Sequence, residues 1–283
     1  MRDTITPNTI MIQKASGDME PFAPEKLLQS LRAAGADEGM AQEILLDIEK
    51  WLVSGVTTKK IYSRALSQLG HRRKTAASRY RIKDALMQLG SSGYPFEIFM
   101  GEIFSKQGFN VQTGIVVQGQ SITHEMDVIA TGKGAQYLIE CKYSQLQGSH
   151  VSIQVPLYVH SRVQDIIELR KKMPEYSNLE FSTWVATNTR FSTDSMQYSA
   201  FYGIKLISWD YPFGHGIKDL INTTKTFPVT LLSTLHPQDA KRLIAQNIVT
   251  CTTLHSHRDA LDSLNISEKK QALIIREIES LLR

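Results

Sequence analysis

The stretch from residue 125 to 143 leaves a chain little choice of structure. Two apolar runs, Glu125 to Ala130 and Tyr137 to Tyr143, flank Thr131-Gly132-Lys133-Gly134, and a glycine-marked turn between two such runs is a hairpin signal. Within the second run, Leu138-Ile139 is followed at once by Glu140-Cys141-Lys142. Strand alternation puts Glu140 and Lys142 on one face, with Asp127 on the partner strand. Charges in what should be a central strand need partners or a metal; a surface cross-strand pair of modest worth explains them less well. Two carboxylates and an ammonium thus converge at one end of the hairpin. Hard oxygen ligands of this kind suit Mg²⁺ or Mn²⁺, which can orient water and lower its pKa. Lys142 is placed to position or deprotonate that water, or to neutralise a phosphate oxygen. Glu125 is read as facing away from this group.

The flanking pattern alternates helices and strands. Phe96, Phe99, Met100, Ile103 and Phe104 recur at helical spacing and stop at Gly108. A strand is expected over Asn110 to Val117 before the hairpin. After it come a helix from about Val155 to Lys172, a strand from Phe181 to Thr187, a helix from Asp194 to Tyr202 and a strand from Ile204 to Trp209. This order predicts an α/β/α arrangement around a mixed sheet.

These residues resemble the PD-(D/E)XK nuclease superfamily, with Asp127…Glu140-x-Lys142 as its motif. The wording around them, Gly93-Tyr94-Pro95-Phe96-Glu97, His124-Glu125-x-Asp127, Leu157-Tyr158 and Thr187-Asn188-Thr189, is similar to restriction-endonuclease-like proteins of the Mrr type. The resemblance implies a catalytic trio of Asp127, Glu140 and Lys142, with Glu97 and the main-chain carbonyl of Cys141 as further metal ligands. His124 is either a phosphate or metal contact or a hydrogen-bonded structural histidine. Tyr158, Arg162 and Asp165 fall on successive turns of one helix. Arg162 there either reaches a DNA phosphate or pairs with Asp165, and Gln154 is a weaker candidate for the same DNA-binding surface.

The first third of the chain differs in charge. Lys59 to Lys83 holds nine basic residues and no acidic one, which suits either a polyphosphate or nucleic-acid partner or a solvated helix face. A strand from Thr9 to Lys14 and a turn at Ser16-Gly17-Asp18 are expected. Helices follow from Pro24, over Met40 to Leu52, Thr58 to Gln68 and Thr75 to Leu89. Lys14 near a strand end and Lys26 near a helix start are suited to clasp a triphosphate, aided by helix-terminal amides.

Ile12-x-Lys14-x-x-Gly17, Glu20-Pro21-Phe22-x-Pro24-Glu25-Lys26-Leu27, Ser63-x-Ala65-Leu66 and Ala77-x-x-Tyr80 resemble the ATP-cone, a regulatory nucleotide-binding domain. By that resemblance Lys14 and Lys26 contact phosphates, Glu20 lies in the nucleotide site, Phe22 and Leu27 line the base pocket, and Thr58 and Tyr62 complete it. ATP or dATP is the implied ligand. A cone used for dimer contacts or as a basic DNA-binding surface is the alternative. No P-loop is present, so nucleotide would be sensed rather than hydrolysed for work.

The fold class expected is multi-domain α/β. Residues 1–90 form a mostly helical cone with a small β cap, 91–226 the catalytic domain and 227–283 a small helical bundle. The rhythm of that bundle is similar to helix-hairpin-helix modules without their glycines. With two cysteines, Cys141 and Cys251, a disulfide scaffold and a cysteine-rich zinc site are excluded and a reducing cytoplasm is expected. Met1 to Asn8 lack a signal-peptide pattern, and no apolar run reaches the ~18 residues of a membrane span. The function expected is a metal-dependent DNA endonuclease under nucleotide control, acting as a homodimer or higher oligomer if both strands are cut. A non-catalytic, nucleotide-responsive DNA-binding protein and an RNase on the same fold are the alternatives.

Overall fold

The computed structural model describes residues 10–15, 17–72, 74–146 and 148–283. Met1 to Thr9, Ser16 of the expected turn and Arg73 of the basic run lie outside the described residues. Two compact units divide the chain, Met1–Ile82 and Lys83–Arg283. Together they hold the expected mixture of helices and a mixed sheet, a multi-domain α/β architecture. Among the described residues no helix is long and apolar enough to cross a membrane.

In the first unit, β1 (Met11–Gln13) and β2 (Met19–Pro21) pair antiparallel. The helices α1 (Pro24–Ala33), α2 (Glu38–Trp51), α3 (Thr58–Arg72) and α4 (Lys74–Tyr80) follow. Pro24 opens α1, and the Asp37 side chain caps α2 by accepting the Met40 N–H at 2.9 Å. Leu28, Leu31, Ile44, Ile48, Ile61 and Leu69 recur at helical spacing and form the buried core. The single helix expected over Thr75 to Leu89 is instead interrupted at Arg81. Its N–H is shared between the carbonyls of Ala77 and Ser78, at 3.3 and 2.9 Å, and the chain resumes as α5 (Ile82–Leu86).

In the second unit, α6 (Tyr94–Lys106) leads into β3 (Asn110–Gln118), β4 (Thr123–Gly132) and β5 (Ala135–Lys142). These three strands are antiparallel. The β4–β5 turn places Lys133 and Gly134 at φ 55° and 73°, the pair of positive φ values that a tight two-residue hairpin loop requires. After the short β6 (His150–Val151), α7 (Gln154–Arg170) crosses to β7 (Glu180–Thr187), parallel to β5. β8 (Arg190–Phe191) pairs with β6, and α8 (Thr193–Tyr202) leads to β9 (Lys205–Ile207), parallel to β7. The main sheet runs β3-β4-β5-β7-β9, with Met126, Leu138 and Val185 buried against Val159, Val163 and Ile166 of α7.

The chain ends in α9 (Ile217–Thr224), α10 (Pro237–Ala245), α11 (Cys251–Ser256) and α12 (Glu268–Leu282). Residues 227–283 lie within the second compact unit. Thr250 hydrogen-bonds Glu102 of α6 at 2.5 Å. Glu277 of α12 accepts from the N–H and hydroxyl groups of Ser233 and Thr234.

Candidate functional site

The β4–β5 ladder runs from Gly132↔Ala135 to Val128↔Ile139 and stops there, so the two strands part at Asp127 and Glu140. The Asp127 carboxylate fills the gap by accepting the Cys141 N–H at 2.7 Å. On the other side of β4, pairing with β3 skips Gly114, at φ 59°, which lies opposite Asp127 between the pairs Thr113↔Val128 and Ile115↔Met126. A Cβ at Gly114 would sit 3.4 Å from the Tyr94 ring, so a bend that glycine favours lies beside Asp127.

Glu140 is 3% exposed. Its Oε1 accepts from the Tyr158 hydroxyl at 2.7 Å and from Lys142 Nζ at 2.8 Å, and its Oε2 from Arg162 Nη1 at 2.8 Å. The Tyr158 hydroxyl and the Arg162 guanidinium, both placed on the DNA-binding side of α7 from sequence, bond this carboxylate while Tyr158 stays exposed. The Arg162–Asp165 pair considered from spacing does not form. Asp165 instead accepts from His124 Nε2, the Ser121 hydroxyl and the Ser121 N–H at 2.8, 2.8 and 2.9 Å. His124 is thereby a structural link between β4 and α7, the second of its two readings. Burial alone would raise the Asp165 carboxyl, but His124 and Ser121 outweigh it and hold it at about 2. Gln154 is exposed at the start of α7.

Glu97, half-buried on α6, is pushed up to about 7 by burial and then by the charges of Asp127, Glu125 and Glu140. Asp127 is pushed up to about 6 by burial and by Glu140, against the lowering effect of the Cys141 N–H. Burial would lower the Lys142 ammonium, yet its hydrogen bonds to Glu140 and Tyr158 hold it above the usual lysine range. Burial, with the charge of Glu140, pushes Tyr158 up to about 12. The buried Cys141 thiol is pushed up as well, first by burial, so it is no nucleophile at neutral pH. Glu125 belongs to the group that sequence reasoning set it apart from. It stands two residues from Asp127, and period-two alternation alone puts both on one face of β4.

Among the described residues no three His, Cys, Asp or Glu side chains are grouped so as to hold a metal ion. Glu140 is fully engaged with its three donors. Asp127 and Glu97 are the carboxylates beside it, near enough for the charge of Asp127 to raise Glu97.

In the first unit, Lys14 and Lys26 both meet Glu20 Oε2, at 2.7 and 3.5 Å. The pair, Lys14 foremost, draws the Glu20 carboxyl below its ordinary value against an opposing effect of burial. Phe22 packs partly buried against the core and Leu27 is within it. Thr58 opens α3. Tyr62 stacks on Tyr80 with ring centroids 4.9 Å apart.

Residues 227–282 match the family described as AF1548-like, C-terminal. An uncharacterized protein of Archaeoglobus fulgidus is 28% identical over 184 residues, a match that covers 65% of this chain and 99% of that protein. The crystal structure of AF1548, a protein of unknown function, is similar at 26% identity and a TM-score of 0.54, over 68% of this chain and 98% of that one. Both likenesses take in nearly all of the relative and leave about a third of this chain without a counterpart.

Proposed function

We propose that the second unit hydrolyses phosphodiester bonds in DNA with a divalent metal ion, Mg²⁺ or Mn²⁺. We further propose that the first unit binds ATP or dATP as a regulatory ligand. The resemblance to restriction-endonuclease-like and ATP-cone proteins suggests the two roles. The observation that carries the first is the meeting of Glu97, Asp127, Glu140 and Lys142 where the β4–β5 ladder opens. Half-buried carboxylates that repel one another this way gain from a cation.

Asp127, Glu97 and the Cys141 carbonyl would hold the ion, with Glu140 beside them. Such an ion supplies a Lewis acid for the phosphate and a water of lowered pKa. The chain's own residues do the rest. Lys142 stays an ammonium through neutral pH, so its role is to neutralise a phosphate oxygen and orient the water rather than to take its proton. Glu140 keeps that ammonium in place at 2.8 Å. Tyr158 fixes the same oxygen of Glu140, and Asp127 braces the main chain between Glu140 and Cys141 through the Cys141 N–H.

In the first unit, Lys14 and Lys26 already converge on one carboxylate, an arrangement that a triphosphate can take over with greater charge. The test is cleavage of supercoiled, linear and single-stranded DNA, beside matched RNA, in Mg²⁺ or Mn²⁺. Each is run with and without ATP and dATP, and with Lys142→Ala. Metal-dependent DNA cleavage lost in the variant is expected. Binding of DNA without cleavage under every condition would overturn the enzymatic reading.

A further inference from the structure

Helix α8 is turned the wrong way round for a helix that serves only its own core. The residues it buries are Ser195 and Ser199, while Phe201 is 83% exposed, Tyr202 50% and Met196 36%. A surface helix ordinarily turns its apolar stripe inward. The rotation of α8 is fixed. The Ser195 hydroxyl donates to the Val151 carbonyl at 2.9 Å, and the Ser192 side chain caps the first turn by accepting the Ser195 N–H at 3.2 Å. The large side chains are therefore held out in water.

The same face continues onto α7. Ring centroids lie 4.9 Å apart from Phe201 to Tyr202, 4.6 Å from Tyr202 to Tyr198 and 4.7 Å from Tyr202 to His160. His160 Nδ1 is 2.9 Å from the Tyr198 hydroxyl. Leu157, 43% exposed, lies one turn before His160. Among the described residues, the exposed positions of α7 from Gln154 to Gln164 carry no charge. On α8 the exposed charge is Asp194, in its first turn.

That chemistry selects the partner. A nucleic-acid surface needs Lys and Arg to neutralise phosphates, and a charged peptide would leave its own charges unmatched here. An uncharged face of aromatic and Met side chains is the make-up of a homodimer's buried centre, with Asp194 and Glu168 left for the polar rim. Such a face is complementary to itself across a two-fold axis. Size agrees. Helices of 17 and 10 residues run about 25 and 15 Å, and side by side they present roughly 500 Å². Two such faces reach the ~1,000 Å² that a specific interface needs.

We propose that the α7–α8 face pairs with the same face of a second copy of this chain, with Phe201 as its anchor. The pairing stands apart from the chemistry proposed above and needs neither metal nor nucleotide.

The experiment is sedimentation equilibrium of the full chain, without metal, nucleotide or DNA, over a range of micromolar concentrations. A dimer is expected for the wild type. Phe201→Lys is expected to raise its dissociation constant at least about thirtyfold, the mark of an interface anchor. Phe201 lies in solvent in the single chain, so the change spares the core, which circular dichroism checks. Ala200→Glu, on the same exposed side of α8, should weaken the dimer as well. Val116→Lys is the control. Val116 is 68% exposed, and its neighbours Ile115 and Val117 pack toward α7, so strand alternation turns it to the other side of the sheet. The dimer should survive there. A monomeric wild type would overturn the inference and leave the face to a partner of another kind. A dimer that both α8 variants leave intact, or that Val116→Lys breaks equally, would overturn it too.

Discussion

The Asp127 carboxylate and the Cys141 N–H are joined at 2.7 Å where the backbone ladder between their strands has already ended. A side chain thus does the work of a missing rung, and the same carboxylate is held in the cleft beside Glu97 and Glu140. Structure and proposed chemistry meet in one group, and substitution can separate them.

Asp127→Asn keeps an oxygen for the Cys141 N–H, whereas Asp127→Ala leaves a buried donor without a partner. An unsatisfied donor costs about 1–3 kcal/mol, so the alanine variant is expected to be less stable than the asparagine variant by that amount. Urea denaturation in EDTA checks this. Both variants are expected to lose cleavage, because neither keeps the charge.

Glu97 gives the site a pH signature. Its carboxyl stands at about 7 in the folded protein, above an unfolded value of about 4.3. Between these values the folded state binds the extra proton, so the contribution of Glu97 to stability falls as pH rises and is at its worst above about 7. Glu97→Gln removes the penalty. At pH 8 without metal its Tm is expected to exceed that of the wild type by about 2–4 °C, the equivalent of ~1 kcal/mol at this size. At pH 5 the difference should shrink toward zero. Scanning calorimetry at the two pH values decides it, and an equal difference at both would exclude Glu97 as the source.

Most of this site was legible from residue order. The hairpin turn, the Glu140–Lys142 face and Asp127 opposite them follow from period two and from Gly132-Lys133-Gly134. Partners drawn from distant segments were harder to read. Spacing along α7 made Asp165 a natural mate for Arg162, but the β3–β4 turn supplies Asp165 with main-chain and hydroxyl donors that no helical pattern reveals. Arg162 was left to Glu140 instead. The interruption at Arg81 was hidden for a similar reason. Residues 75–89 hold no glycine or proline, so nothing local marks a break.

The first unit offers a separate test. Glu20 occupies both amines, Lys14 at 2.7 Å and Lys26 at 3.5 Å. If a triphosphate takes over these lysines, Lys14→Ala should weaken ATP binding roughly tenfold, the worth of a charge-assisted hydrogen bond of ~1.5 kcal/mol. Glu20→Gln should strengthen it, because the amines no longer have a competing carboxylate. Isothermal titration calorimetry reads both. Equal affinities in all three proteins would remove these lysines from the nucleotide site.

The brace behind Arg162 can be tested without any ligand. A Cβ at Gly119 would overlap the Asp165 carboxylate and lie 2.8 Å from the Ile122 carbonyl. Gly119→Ala must therefore shift either the β3–β4 turn or the Asp165 side chain, and forcing an extra methyl into such a place costs about 1–3 kcal/mol. Part of that cost is the Asp165 clash and part is the backbone contact. In an Asp165→Ala background the first part disappears and the second stays, so a double-mutant cycle should give a smaller penalty for Gly119→Ala there. Asp165→Ala itself is expected to destabilise, because it strips partners from Ser121, Ile122 and His124. Its effect should fade as pH falls toward 2, where the wild-type carboxyl also becomes protonated. Urea midpoints at pH 7 and pH 3 for the four proteins measure all of this. Strict additivity would show that Gly119 and Asp165 act independently and that the turn is held to α7 by other contacts.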